Sequence, residues 1–262
     1  MNQVKKTQCI TFRNLSGVPG LVHGVFTRNG GVSVPPYDSL NVSWSGGDSP
    51  EAVLENITRV KDALGIGSLV ASRQYHGDAV NFIGKDSVHG LELRRNTLIA
   101  QPGDALATNL SGFGLLIKIA DCQSILLAEP KSRIIANVHS GWRGSVNDIA
   151  GKTVRYLKNE FGLDPAETLA AVSPSLGPCC AEFINYKSEL PEKFWAFQVR
   201  PEHFDFWAIT REQLTAAGIC NENIEFAQKC TVCGTQDFFS YRAERTTGRM
   251  ASVIGWKSSY ET

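Results

Sequence analysis

The 262-residue chain balances 26 Lys and Arg against 26 Asp and Glu, for a formal net charge of zero. That balance argues against a broad electrostatic footprint for nucleic acid or an anionic membrane, although a local basic pocket stays open. Apolar residues make up 42% and charged residues 20%, the composition of a soluble globular protein long enough for a substantial core, and no run of 18 apolar residues suggests a spanning helix.

The segment from Met1 to Cys9 has charge but no apolar stretch behind it, so no secretory signal is expected. Seven irregularly spaced cysteines read as reduced thiols, which predicts a cytoplasmic protein. No linker, repeat or charge block divides the chain, and residues 1–262 are expected to form a single domain.

In chain order, Leu21–Phe26 alternates loosely and predicts a strand leading into the glycine-rich turn Thr27-Arg28-Asn-Gly-Gly-Val-Ser33. Asp48 and Ser49 before Pro50 make an N-cap with proline at the first helical position. Val53, Leu54, Ile57, Val60 and Leu64 then recur at helical spacing until Gly65 stops the helix. Two β-branched runs, Gly114–Ile119 and Arg133–Val138, predict buried strands. A further helix is expected to open at Gly144-Ser145, with Ser145 and Asp148 as a capping pair and Val146, Ile149, Val154, Leu157 and Phe161 on its buried face. Leu169–Val172, Ile224–Ala227 and Arg249–Trp256 predict later strands. The irregular alternation of elements points to a mixed α/β sandwich rather than a regular doubly wound sheet.

Three residues carry most of the chemistry. His76 sits in Gln74-Tyr-His76-Gly77, Cys122 in Ala120-Asp121-Cys122, and His139 in Val138-His139-Ser-Gly-Trp-Arg143-Gly144. The last two follow predicted strands. Two imidazoles and a thiolate are three of the four ligands zinc prefers, with one position left open. Taken singly, each has a plainer reading as a structural hydrogen-bonder or an inert buried thiol. Arg28, Arg143 and Arg242 lie in turn-like contexts, where a planar guanidinium suits phosphate or carboxylate. Arg94-Arg95, beside Glu92, reads as a solvated pair. Cys230-Thr-Val-Cys233 has CxxC spacing, but zinc would require a second pair, and Cys179-Cys180 has no spacer. The P-loop, GxGxxG and GxSxG patterns are absent.

These segments, with Tyr37-Asp-Ser-Leu-Asn41, Gly103-Asp104-Ala105, Ser175-Leu-Gly-Pro-Cys-Cys180, Phe238-Phe-Ser-Tyr-Arg242 and Thr247-Gly-Arg-Met250, give the chain its family likeness. It resembles the YfiH/laccase-domain family, whose members are named multicopper polyphenol oxidases and purine nucleoside phosphorylases. The resemblance implies an α+β fold, a mixed-sheet four-layer α-β-β-α sandwich similar to the catalytic domain of cytotoxic necrotising factor toxins. It implies Zn2+ at His76, Cys122 and His139, with Cu2+ able to occupy the same site. The chain departs from the family at Gln123-Ser124, where Leu-Pro or Val-Pro is frequent, and at Ser140, where alanine is frequent.

The function so implied is phosphorolysis of adenosine, inosine or methylthioadenosine, with adenosine deamination through a zinc-activated water at purine C6. Cys122, His139, Asp121 and Arg143 are the expected catalytic residues, Asp121 orienting a ligand histidine or moving a proton. Arg28, Arg242, Asn41 and Gln74 are expected to bind substrate and phosphate. The partners are then small molecules, with neither nucleic acid nor membrane, and the oligomeric state is left open. One alternative makes Cys122 a nucleophile activated by His139 that hydrolyses amides of peptidoglycan precursors. Another makes the trio a closed structural zinc site completed by Cys179 or Cys180. A four-copper oxidase is disfavoured because the chain has no His-x-His and five histidines.

Overall fold

Short apolar runs rich in Val, Ile and Leu build two large sheets in the computed structural model, which describes residues 7–258. The segment read for a targeting signal lies largely outside them. The seven-stranded sheet has the order Cys9–Ile10, Leu21–Phe26, Met250–Trp256, Phe113–Ile119, Ser68–Ala71, Thr97–Ile99, Glu92–Arg94. The six-stranded sheet runs Ile224–Phe226, Leu169–Val172, Gln123–Glu129, Ile134–Ser140, Ala105–Thr108, Val80–Ile83. Both are mixed. Phe113–Ile119 is parallel to Ser68–Ala71 and antiparallel to Met250–Trp256, while Ala105–Thr108 is parallel to Val80–Ile83 and antiparallel to Ile134–Ser140.

The period-two alternation of strand side chains sorts the core into layers. Leu115, Ile117 and Ile254 of one sheet pack against Leu126, Ile135 and Ala171 of the other. On the outer face of the seven-stranded sheet, Leu116 and Val253 receive Val53, Ile57 and Val60 of the helix Pro50–Leu64. On the outer face of the six-stranded sheet, Ile125, Leu127 and Val138 receive Ile149, Val154 and Leu157 of the helix Ile149–Phe161. With both faces covered, the central strands Gln123–Glu129, Ile134–Ser140 and Met250–Trp256 are buried throughout rather than alternating. Each fully buried Leu or Ile contributes roughly 1.5–3 kcal/mol. Asn137 bridges the sheets inside this core, donating to the carbonyls of Leu115 and Ser252 at 2.9 Å.

The caps of the first long helix follow the sequence: Ser49 accepts from Ala52 N–H, and Gly65 takes a left-handed φ of 62°. The second differs from expectation. Trp142–Val146 is a separate short helix, and Asp148 (φ 56°) caps Ile149–Phe161 through Gly151 N–H. The aspartate prefers to bond the free N–H beyond it, which breaks the helical run at Asn147-Asp148. Phe161, expected in the core, is 37% exposed and stacks on Phe82. No helix among the described residues is long and apolar enough to cross a membrane.

Candidate metal centre and active-site cleft

At one end of the stacked sheets, two of the segments that pass between them each carry a ligand candidate. Residues 72–79 link Ser68–Ala71 to Val80–Ile83 and present His76; residues 120–122 link Phe113–Ile119 to Gln123–Glu129 and present Cys122. His139 lies on the inner face of its strand, two residues beyond Asn137, so its ring enters the same space. Because His139 pairs with Ser124 and Ser140 with Gln123, Cys122 is brought beside Gly141. One nitrogen of each histidine and the cysteine sulfur all lie within 4.8 Å of one another, with Cys122 Sγ 3.8 Å from His76 Nε2.

This spacing fits one zinc ion. Zn–S and Zn–N distances of about 2.3 and 2.0 Å in a tetrahedron put sulfur and nitrogen roughly 3.5 Å apart. Gly141 leaves the necessary room, since a Cβ there would stand 2.9 Å from both Cys122 Sγ and His76 Cδ2.

Asp104 holds the trio in place. It is fully buried, and its carboxylate accepts the N–H groups of Tyr75 (3.2 Å), His76 (2.9 Å) and Gly77 (2.8 Å). His76 can therefore sustain a left-handed φ of 63°, a conformation a non-glycine residue keeps only when its surroundings over-determine it. The same carboxylate meets His139 Nδ1 at 2.8 Å. That contact sets the tautomer with the proton on Nδ1 and turns Nε2 toward Cys122. Burial pushes the Asp104 carboxyl up, but His139 and the Gly77 and Tyr75 amides outweigh it and hold it below the usual range.

Cys122 and His139 shift in opposite directions. Burial favours the neutral thiol, yet His139 and then His76 outweigh it, and Cys122 is held down at about 6. Burial also disfavours the imidazolium of His139, which Cys122 and Asp104 nevertheless raise to about 9. Without a metal, the pair is a thiolate and an imidazolium at neutral pH.

The trio lines a cleft of about 1200 Å³. Gln74, Asp121, Arg143 and Arg242 line it too, along with cations to which the sequence had assigned no role: Arg73, Lys118, Arg245 and Arg249. Burial, and then Arg249, lower the pKa of Lys118. Several expected residues have their polar groups committed elsewhere. Both ends of the Gln74 amide bond the backbone of Lys118. Arg28 is buried away from the cleft, paired with Glu244 at 2.8 Å and bonded to the carbonyls of Asp38 and Thr235. Asn41 bonds Asp48 and the Ser43 and Arg249 backbone. The Asp121 carboxylate accepts from Thr231, Ser240 and the Arg242 N–H, each at 2.7 Å. Asp104, rather than Asp121, bonds a ligand histidine, because it sits across the sheet from His139 while Asp121 turns toward the 231–242 segment. Cys179 and Cys180 lie apart from the trio, with Cys230 and Cys233.

A family model described as multi-copper polyphenol oxidoreductase laccase matches residues 22–257. The chain belongs to this family. It is 32% identical over 259 residues to a protein named purine nucleoside phosphorylase YlmD from Geobacillus stearothermophilus, covering 92% of each. It is 33% identical to purine nucleoside phosphorylase YfiH of Escherichia coli, over 87% of this chain and 90% of that one. The crystal structure of the Geobacillus YlmD matches with a TM-score of 0.85 at 28% identity, covering 98% of both chains. That of a Bacillus licheniformis hypothetical protein, YfiH, matches at 0.82 and 28%, covering 90% of this chain and 93% of the other.

This laccase-family chain does not supply a four-copper ligand set. Of its five histidines, His23 accepts the Phe12 N–H, His203 contacts the Pro201 carbonyl and His89 is exposed. His76 and His139 alone join Cys122 at the cleft, and this donor set suits one ion.

Proposed function

We propose that the protein is a zinc-dependent purine nucleoside phosphorylase, converting adenosine, inosine or methylthioadenosine and phosphate to the base and ribose 1-phosphate. We take adenosine deamination as a second activity of the same cleft. The observation that carries this reading is the convergence of His76, Cys122 and His139 in a cleft lined with cations, in a chain whose relatives are named purine nucleoside phosphorylases. His76, Cys122 and His139 would hold the ion, which supplies Lewis acidity when bound. Copper would fit the same donors.

The chain's own residues account for the rest. Arg73, Lys118 and Arg249 line the cleft, with Arg249 near enough to Lys118 to lower its pKa, and they would bind phosphate as its oxygen attacks ribose C1′ and the N-glycosidic bond breaks. Trp142, Phe183 and Tyr241 line the cleft as well and offer apolar faces to a purine. Arg143 stacks on Trp142, and Arg242 lies over Phe183 while donating to the Glu182 carbonyl; both would orient substrate. In this reading, residues 1–262 act as a single cytoplasmic domain, and the stacked sheets with their outer helices form the four-layer α-β-β-α sandwich likened to the toxin catalytic domain.

The test is to incubate zinc-loaded protein with adenosine, with and without phosphate, and resolve adenine, inosine and hypoxanthine. Adenine formed only with phosphate supports phosphorolysis, and inosine adds deamination. No product in either case overturns both. The Cys122 thiolate, the His139 imidazolium and Asp104 behind it favour one alternative, an amide hydrolase with Cys122 as nucleophile. Its mark would be turnover of a peptidoglycan-type amide by metal-free protein.

A further inference from the structure

Beside the cleft lies a second cluster that no step above uses. Two turns, residues 178–180 and 231–237, bring the adjacent pair Cys179-Cys180 against Cys230-Thr-Val-Cys233. All four sulfurs lie within 4.8 Å of one another, and Cys233 Sγ is 3.6 Å from both Cys179 Sγ and Cys180 Sγ. A zinc ion with four Zn–S bonds of about 2.3 Å sits in a tetrahedron whose edges are roughly 3.8 Å. The missing spacer in the first pair is therefore no obstacle, because the second pair reaches it from another turn.

The surroundings of Cys230 suit a thiolate. Cys230 Sγ accepts the Gly177 N–H at 3.4 Å, and the N–H groups of Val232 and Cys233 are directed at the same sulfur. Amide donors aimed at one sulfur match an anionic ligand better than a thiol. Gly177 permits the approach, since a Cβ there would come within 3.0 Å of Cys230 Cβ and 3.1 Å of the Trp207 ring. The segments already touch at their bases, where Thr231 N–H bonds Ser175 O at 3.0 Å and Ser175 N–H bonds Lys229 O at 3.1 Å.

We propose that Cys179, Cys180, Cys230 and Cys233 form a closed structural zinc site, separate from the His76, Cys122 and His139 trio. Four protein ligands leave no open position, so the site has no place for substrate. Its role follows from what its turns lead to: Glu182 and Phe183 after the first, Tyr241 and Arg242 after the second, all lining the cleft. The ion clamps these two walls together at their roots, where Arg242 Nη1 also donates to the Glu182 carbonyl at 2.8 Å.

The experiment begins with wild-type protein purified from zinc-supplemented cells and dialysed briefly against EDTA. Metal content is read by plasma mass spectrometry. A closed tetrathiolate site should retain about one zinc per chain, released in step with cysteine modification by p-hydroxymercuribenzoate. His76→Ala/His139→Ala should keep that ion and, exchanged with Co2+, show the charge-transfer and visible bands of tetrahedral tetrathiolate cobalt. Adding Cys180→Ser and Cys233→Ser should abolish it, whereas Cys9→Ser/Cys220→Ser should not. Dialysed wild-type protein without zinc, a disulfide among the four cysteines in freshly isolated protein, or iron in place of zinc overturns the proposal. Absence of a second, EDTA-labile ion before dialysis would sink the trio's assignment and leave this one standing.

Discussion

Replacing Asp104 by Asn keeps its volume and removes one acceptor, and the structure sets the consequence. Oδ1 meets the His76 N–H and His139 Nδ1, and Oδ2 meets the N–H groups of Tyr75 and Gly77. An amide offers one oxygen and one NH2, so either orientation turns a donor toward a native donor pair. With the NH2 toward Tyr75 and Gly77, two part-buried donors lose their acceptor, at no more than about 1–3 kcal/mol each. With the NH2 toward His76 and His139, one amide is orphaned. His139 is then driven to the tautomer protonated on Nε2, which withdraws a ligand nitrogen. The expected result is a Tm lower by on the order of 10 °C and zinc affinity at the trio lower by roughly 10–100-fold. Thermal unfolding followed by circular dichroism and competition with a chromophoric chelator measure the two. An Asp104→Asn protein that keeps wild-type Tm and wild-type affinity would refute the positioning role assigned to this carboxylate.

Other outcomes follow from the same geometry. Because the folded Asp104 carboxyl lies below its ordinary value, its contribution is present above about pH 4 and lost as pH falls through the folded value. The stability gap between wild type and Asp104→Asn should therefore narrow in acid, as denaturant titrations across pH would show. Cys122, held down at about 6, is a thiolate above that pH. In metal-free protein, its alkylation by iodoacetamide should rise with a midpoint near 6 and then level off; a midpoint near that of a free cysteine would contradict the assigned ion pair. Gly141→Ala places a Cβ 2.9 Å from Cys122 Sγ and should lower metal occupancy of the trio while far-ultraviolet dichroism stays unchanged. Lys118→Met should raise KM for phosphate roughly 10–100-fold through loss of a charged contact, read in steady-state kinetics. Arg28→Lys should lower Tm and leave that KM unchanged, because the Arg28 guanidinium is engaged with Glu244 rather than the cleft.

Much of this chain is readable before folding, because local patterns have local causes. Helical spacing, the Ser49 cap and the Gly65 stop mark the helix Pro50–Leu64, and β-branched runs mark the strands around Leu115 and Ile135. Gly141 and the residues around His76, Cys122 and His139 stand out in motifs whose family likeness already implied a metal. Three matters depended on the long-range packing. Asp104 looks like any aspartate in a Gly-Asp-Ala turn until strand pairing sets it beneath both histidines. Arg28 and Arg242 share a turn-like context, yet Arg28 is folded against Glu244 while Arg242 faces the cleft. The two cysteine pairs had no visible partner because a tetrahedral site requires proximity in space, and the bridge between Ser175 and Cys230 joins segments far apart in sequence. Periodicity reports which face of an element is buried; it carries no information about which distant side chain will be waiting there.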